Sequence, residues 1–210
     1  MNIKEEIFEN ILNGSAPETE QLVLQALKAG VGAEELLRDA LIPAMAEVGV
    51  RFERGDLYIP EMLISARAMK AGLAHLRPRL VEQDVKPAGK IILGTVKGDL
   101  HDIGKNLVGM MMEGAGFQVI DLGVDVSPDK FVQSVKDTGA ELVGMSALLT
   151  TTMLSMEATI QALKQAGLYG KVKVIVGGAP ITQGYADKIG AHGYASDASS
   201  ASRKAMELLG

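Results

Sequence analysis

The stretch IILGTVKGDLHDIGKNLVGMMMEGAGF, Ile91–Phe117, decides the fold. Its first residues, Ile91 to Val96, form a short apolar run ended by a Gly-containing loop, and from Ile103 to Glu113 apolar residues recur at helical spacing. A buried strand, a loop and a helix is the opening half of a βαβ unit. The same alternation continues downstream. Gln118 to Asp121, Leu142 to Ser146 and Val172 to Val176 read as further strands, and Tyr194 opens a fifth. Helices are predicted over Pro128–Lys136, Thr152–Ala166, Thr182–Ile189 and Ser199–Leu209. Right-handed crossovers then build a doubly wound parallel five-stranded sheet, with ligands expected beyond the C-terminal strand ends.

Upstream of this sheet the pattern is helical throughout. Ile3, Ile7, Phe8, Ile11 and Leu12 share one face, and Asn13-Gly14 ends the first helix. Ser15 and Glu18, around Pro17, can cap a second helix that runs to Gly30. A third carries Leu36, Leu37, Leu41, Met45 and Val48 and meets Pro43, which should bend or break it. A fourth starts at Pro60, with Met62, Leu63, Ala66, Met69, Leu73 and Leu76 inward. One-sided faces with short connections read as an N-terminal four-helix bundle over residues 1–80. A polar linker over 81–89 and an α/β domain over 90–210 complete the expected organisation.

Composition removes several functions. The 210 residues carry a formal charge of -5, which argues against a nucleic-acid or anionic-membrane surface, since either would need a basic face. Up to Ala88 there are 10 Lys and Arg against 14 Asp and Glu, so most of the excess acidity is N-terminal. The absence of cysteine excludes disulfides and thiolate metal sites, and a cytoplasmic address is expected. No apolar run approaches the ~20 residues that span a bilayer, and the acidic N-terminus has no signal-peptide core.

The loop after the first strand holds Gly98, Asp99, His101, Asp102 and Gly104. It lacks the glycine spacing of phosphate loops. An imidazole two residues after a carboxylate suits a metal ligand whose second nitrogen that carboxylate holds. The same residues also suit a solvated histidine beside a helix-capping Asp102. On the same sheet edge Ser146, Thr150, Thr151 and Thr152 offer hydroxyls to a polar ligand, or cap the next helix. Gly177-Gly178-Ala179 lets a ligand approach the backbone, or simply forms a tight turn.

Together these motifs resemble the cobalamin-binding module of methionine synthase and of the small corrinoid proteins of methyltransferase systems, over nearly the whole chain. The resemblance implies a flavodoxin-like, Rossmann-type sheet domain under a helical cap. It implies a cobalamin or related corrinoid, carried as methylcobalamin in the base-off/His-on state. His101 would be the lower axial cobalt ligand, Asp99 its hydrogen-bond partner and Thr152, where methionine synthase has serine, the end of a ligand-proton relay. Asp99 would stabilise a protonated His101 when the imidazole leaves cobalt. Gly98, Leu100, Asp102, Ile103, Gly104, Ser146, Leu148, Thr150, Gly177, Gly178 and Ala198 are implied as cofactor contacts. From the cap, VGVRFERGDLYIPEMLISARAMKAG carries the likeness most clearly, and Phe52 and Ile59 match the positions that cover the methyl-bearing face.

The implied activity is methyl carriage, with Co(I) taking a methyl group, becoming methyl-Co(III), and passing it on. The partners would be a methyl-donor methyltransferase, a methyl-acceptor methyltransferase using tetrahydrofolate or a thiol, and a corrinoid reductive activase. Methoxylated aromatics, methylamines, methanol and quaternary amines are all candidate donors. A chain this short has no room for donor and acceptor barrels of about 250 residues each, so a carrier is expected. An adenosylcobalamin mutase subunit, a cobalamin-responsive regulator and a corrinoid-free flavodoxin-like domain are the alternatives.

Overall fold

The structure is a computed structural model and describes residues 2–210. The chain divides into two compact units, one reaching Pro87, with Glu113–Gly116 grouped with it, and one comprising the rest from Ala88 on.

In the first unit α1 (Ile3–Leu12) begins at a capping box. The Asn2 side chain accepts the Lys4 N–H, and the Glu5 carboxylate accepts the Asn2 N–H. Helix α2 (Ala16–Lys28) follows, but the Ser15–Glu18 box does not form. Ser15 makes no side-chain cap bond, and its carbonyl instead takes both the Thr19 N–H and the Thr19 hydroxyl. Thr19 is fully buried and satisfies its hydroxyl locally, so the helix starts without a cap.

The predicted break at Pro43 also takes another form. Helix α3 (Ala33–Leu36) passes into a π-helical segment, Leu37–Leu41, which passes directly into α4 (Ile42–Arg54). Pro43 lacks the N–H that would reach back to Asp39, and its ring would crowd that carbonyl in a regular α-turn. Widening the preceding turn, with the Ile42 N–H reaching the Leu37 carbonyl, accommodates the proline without interrupting the helix. Helix α5 (Ile59–Glu82) starts one residue before Pro60 and runs through Pro78, so the helical part extends past the expected limit at 80. The bundle core is Ile7, Ile11, Val23, Leu36, Leu41, Met45, Val48, Met62, Met69 and Leu76, all essentially inaccessible.

The second unit holds β1 (Lys90–Thr95), α6 (Ile103–Gly114), β2 (Gln118–Asp121), α7 (Pro128–Thr138), β3 (Leu142–Ser146), α8 (Met153–Gln165), β4 (Lys173–Gly177), α9 (Gln183–Ile189), β5 (Gly193–Ala195) and α10 (Ala198–Leu209). The strands pair in parallel in the order β2-β1-β3-β4-β5. Alternation sorts the strand side chains. Ile92, Val143, Met145, Val174 and Val176 enter the core shared with Phe131, Val135, Met156, Ile160, Leu163 and Ile189 of α7, α8 and α9. Ile91, Leu93, Leu142 and Ile175 are buried on the opposite face.

The strand order places a reversal at β1, from which the chain first winds to β2 and then crosses to β3. A crevice must open outside the C-terminal ends of β1 and β3 at such a point. Register aligns Thr95 with Ser146, and Ser146 with Gly177, so three strands end level at this edge.

Candidate corrinoid site

Asp99 is the centre of this edge. It is fully buried, and five donors converge on its carboxylate. Oδ1 lies 2.6 Å from His101 Nδ1 and accepts the His101 N–H at 3.1 Å. Oδ2 accepts the Leu148 N–H at 2.8 Å, the Leu149 N–H at 3.3 Å and the Thr152 hydroxyl at 2.7 Å. Burial by itself would push the Asp99 carboxyl up. The bonds from Leu148, Thr152 and His101 outweigh it and hold the group well below the usual carboxylate range.

The histidine tautomer follows from that charge. An ionised carboxylate only accepts, so Nδ1 carries the ring proton and a neutral ring presents its lone pair at Nε2. No protein group bonds Nε2 among the described residues, and the side chain is 51% exposed, so that nitrogen is free to ligate. The main chain of His101 is fixed at both ends, its N–H by Asp99 and its carbonyl by the buried Thr95 hydroxyl at 2.8 Å. Thr152 is itself buried at the start of α8, its oxygen also 2.8 Å from the Leu149 carbonyl.

The structure therefore brings Asp99, His101 and Thr152 together. Gly98, at φ 85°, sets the turn before them in the left-handed region. Leu100 and Ile103 are 72% and 75% exposed, and Leu148, Leu149 and Leu154 add to an uncovered apolar rim. Asp102 is exposed. Its main-chain carbonyl accepts the Asn106 N–H, and its carboxylate accepts the Asn106 side-chain amide. Gly104 has open space where a side chain would project. Thr150 is exposed, Ser146 half-buried and Ala198 buried at the start of α10.

The two glycines after β4 answer first to the protein itself. A methyl on Gly178, at φ 134°, would lie 1.9 Å from the Ala147 carbonyl oxygen, and one on Gly177 would lie 2.9 Å from that of Ala195. Close backbone packing requires both, whether or not a ligand is near. Phe52 and Ile59 belong to the helical unit, Phe52 half-buried on α4 and Ile59 45% exposed at the start of α5.

A lone imidazole is a poor metal site by protein standards. Among the described residues no group of three or more His, Asp or Glu is placed to hold a metal ion. A metal can bind His101 stably only if something else supplies its remaining ligands, as a tetrapyrrole macrocycle does. The exposed apolar rim and the open space at Gly104 suit such a large flat partner.

Residues 89–202 and residues 3–77 each match a family model described as a B12 binding domain. The chain belongs to the B12-binding corrinoid proteins. It is 43% identical over 210 residues to the dimethylamine corrinoid protein of Methanosarcina barkeri, covering 98% of this chain and 99% of that protein. Among solved structures it superposes on a cobalamin-binding protein from Desulfitobacterium hafniense with a TM-score of 0.83 and 31% identity, covering 99% of this chain and 98% of the other. A chain of the methanol:cobalamin methyltransferase complex of Methanosarcina barkeri matches with a TM-score of 0.86 and 26% identity, over 99% of this chain and 79% of that one. Among the described residues of this corrinoid protein no helix is long and apolar enough to cross a membrane.

Sequence reasoning did not find every polar group at this sheet edge. Thr95, Leu149 and Asp125 escaped it, the last accepting the Gly98 N–H at 2.7 Å. So did Lys105, buried on α6 with its ammonium 2.6 Å from Asp121 at the end of β2. Thr95 had one local signal, a hydroxyl at the last position of an otherwise apolar strand.

Proposed function

We propose that this corrinoid protein is the methyl carrier of a methylamine-type methyltransferase system, binding its cofactor base-off with His101 Nε2 on cobalt. The observation that carries this reading is the buried Asp99 carboxylate, which fixes the imidazole tautomer and directs the lone pair outward. The bound corrinoid supplies a nucleophilic cobalt that takes up and gives away a methyl group. Everything else is work for the chain's own residues. Asp99 orients the ring and stays ionised, so a proton arriving at His101 Nε2 meets a compensating charge at Nδ1. Thr152 donates to the far oxygen of the same carboxylate and keeps it from rotating away. Leu100, Ile103 and Leu148 offer the macrocycle an apolar seat, while Ser146 and Thr150 offer hydroxyls to its polar substituents. Phe52 and Ile59 of the helical unit remain the apolar cap residues of this proposal.

The donor class is supported by the dimethylamine and methanol proteins to which the chain is similar. A donor methyltransferase, an acceptor methyltransferase using tetrahydrofolate or a thiol, and a reductive activase are the proposed partners, in the cytoplasm. The test is anaerobic reconstitution with hydroxocobalamin, followed by assay with a dimethylamine methyltransferase. The wild type is expected to show the absorption of nitrogen-ligated cobalt, a nitrogen-split Co(II) electron paramagnetic resonance (EPR) spectrum and methylation from dimethylamine. An unchanged spectrum in His101→Ala would refute the ligand assignment. Methylation from another donor alone would replace the substrate class.

A further inference from the structure

Asp125 lies in the loop between β2 and α7, far from the D-x-H-x-x-G motif in sequence, yet it grips that motif at two points. Its Oδ1 accepts the Gly98 N–H at 2.7 Å, and its own N–H donates to the Asp99 carbonyl at 3.0 Å. The loop that carries it lies along the end of β1. Leu122 N–H reaches the Leu93 carbonyl, Thr95 N–H the Gly123 carbonyl, and Val126 N–H the Thr95 carbonyl.

The backbone at Asp125 is unusual for a residue with a side chain, with φ at 51°. Glycine would adopt that conformation without penalty. A carboxylate here gains something glycine cannot offer, an acceptor for Gly98, whose own φ is 85°. Two left-handed residues are thus joined by the bond from Gly98 to Asp125, and the Asp125 N–H adds a second tie to the neighbouring Asp99 carbonyl. Freed from this clasp, Gly98 could swing, and Asp99 would move with it.

We propose that Asp125 is a positioning residue, which holds the Gly98–Asp99 backbone so that the Asp99 carboxylate keeps His101 aimed at cobalt. It does not touch the imidazole and acts only through Asp99. This rests on the proposed ligation by His101, and the test separates the two.

The holoprotein carries either Asp125→Gly, which removes the acceptor but suits the backbone, or Asp125→Asn, which keeps an acceptor oxygen and tolerates left-handed φ. Two readouts are taken, the nitrogen splitting in the Co(II) EPR spectrum and the Co(II)/Co(I) midpoint potential. Cobalt accepts one electron from the mediated electrode and releases its axial ligand on reaching Co(I), so weaker ligation of Co(II) raises the potential. Losing one charge-assisted hydrogen bond from the clasp is expected to weaken ligation about fivefold in Asp125→Gly. At 59 mV per decade for one electron this is a rise of about 40 mV.

Asp125→Asn is expected to stay within about 10 mV of wild type on the same scale. His101→Ala is the reference, with the splitting abolished and a larger rise. If His101→Ala changes neither readout, the ligation itself is wrong. If it changes both while Asp125→Gly changes neither, only the positioning role falls, even where thermal stability drops. If Asp125→Asn shifts as far as Asp125→Gly, carboxylate charge rather than the clasp is responsible, and the inference is overturned.

Discussion

Asp99→Asn is nearly isosteric, yet the site has no orientation that accepts it. With the amide nitrogen on the Oδ2 side, an N–H donor faces the Leu148 and Leu149 N–H groups, which now sit 2.8 and 3.3 Å from an atom that cannot accept them. With the amide turned over, the nitrogen faces the His101 N–H and forces Nδ1 to become the acceptor, moving the ring proton to Nε2. A buried N–H left without a partner costs about 1–3 kcal/mol, and the weakened bond to Thr152 adds to it, so about 2–4 kcal/mol is expected. At roughly 4 °C per kcal/mol for a domain of this size, apparent Tm falls by about 8–16 °C. Circular dichroism of the cofactor-free chain measures it.

The pH dependence of that deficit is fixed in sign. Folding holds the Asp99 carboxyl below its unfolded value of about 3.9, so its contribution is complete above that pH and is lost as pH falls through the folded value. The deficit of Asp99→Asn should be flat between pH 5 and 8 and should narrow only below about pH 4. A deficit under ~0.5 kcal/mol at pH 7, or one that vanishes as pH is raised, refutes the five-donor description of the carboxylate.

Thr152→Val should cost about 1.5–3 kcal/mol, the range for a hydrogen bond to a charged group, while Thr152→Ser should keep most of that stability; denaturant midpoints at constant m-value check both. Gly178→Ala should destabilise the sheet unit by at least about 3 kcal/mol, through its clash with Ala147 and its φ of 134°, and a soluble variant with a wild-type melting curve would contradict this. His192 accepts the Val174 N–H at Nδ1 and stacks on Tyr169. Burial, then Lys173 and Lys164, lower its pKa. Its contribution is therefore present above the unfolded value of about 6.5 and lost as pH falls through the lowered folded value, and Tm measured from pH 7.5 to 5 should fall more steeply in wild type than in His192→Gln.

The strand boundaries were readable because the inner parallel strands, buried on both faces, are short apolar runs, and glycines or acidic residues closed most of these runs and that of the half-buried edge strand β2. Gln118–Asp121 and Leu142–Ser146 have the expected limits, and β1 and β4 differ from theirs by one residue at each end. The D-x-H-x-x-G loop was readable because its chemistry is local. Where pairing is long-range the sequence is silent. Nothing around Asp125 announces that it meets Gly98, 27 positions earlier, because that contact exists only once β2 lies beside β1. Gly177 and Gly178 are ambiguous in a different way, since a requirement for glycine looks the same whether a ligand or the protein's own backbone fills the space. Pro43 and Pro78 show that local propensity yields to packing, with one absorbed in a π-turn and the other carried inside α5.

The π-turn at Leu37–Leu41 has a consequence for how the helical unit keeps its phase. Each residue added to an α-helix rotates everything after it by about 100°. A single widened turn works as a rotary joint, taking up one residue of slack without unwinding the helix. The face that carries Leu36 before the joint and the one that carries Met45 and Val48 after it both turn inward, although no uninterrupted 3.6-residue repeat has to connect them. Wound as a regular α-helix, the same residues would turn the second half by about 100°, exposing Val48 and turning polar neighbours toward the core. Regularity of the helix and continuity of its buried stripe are thus opposed here, and the chain keeps the stripe.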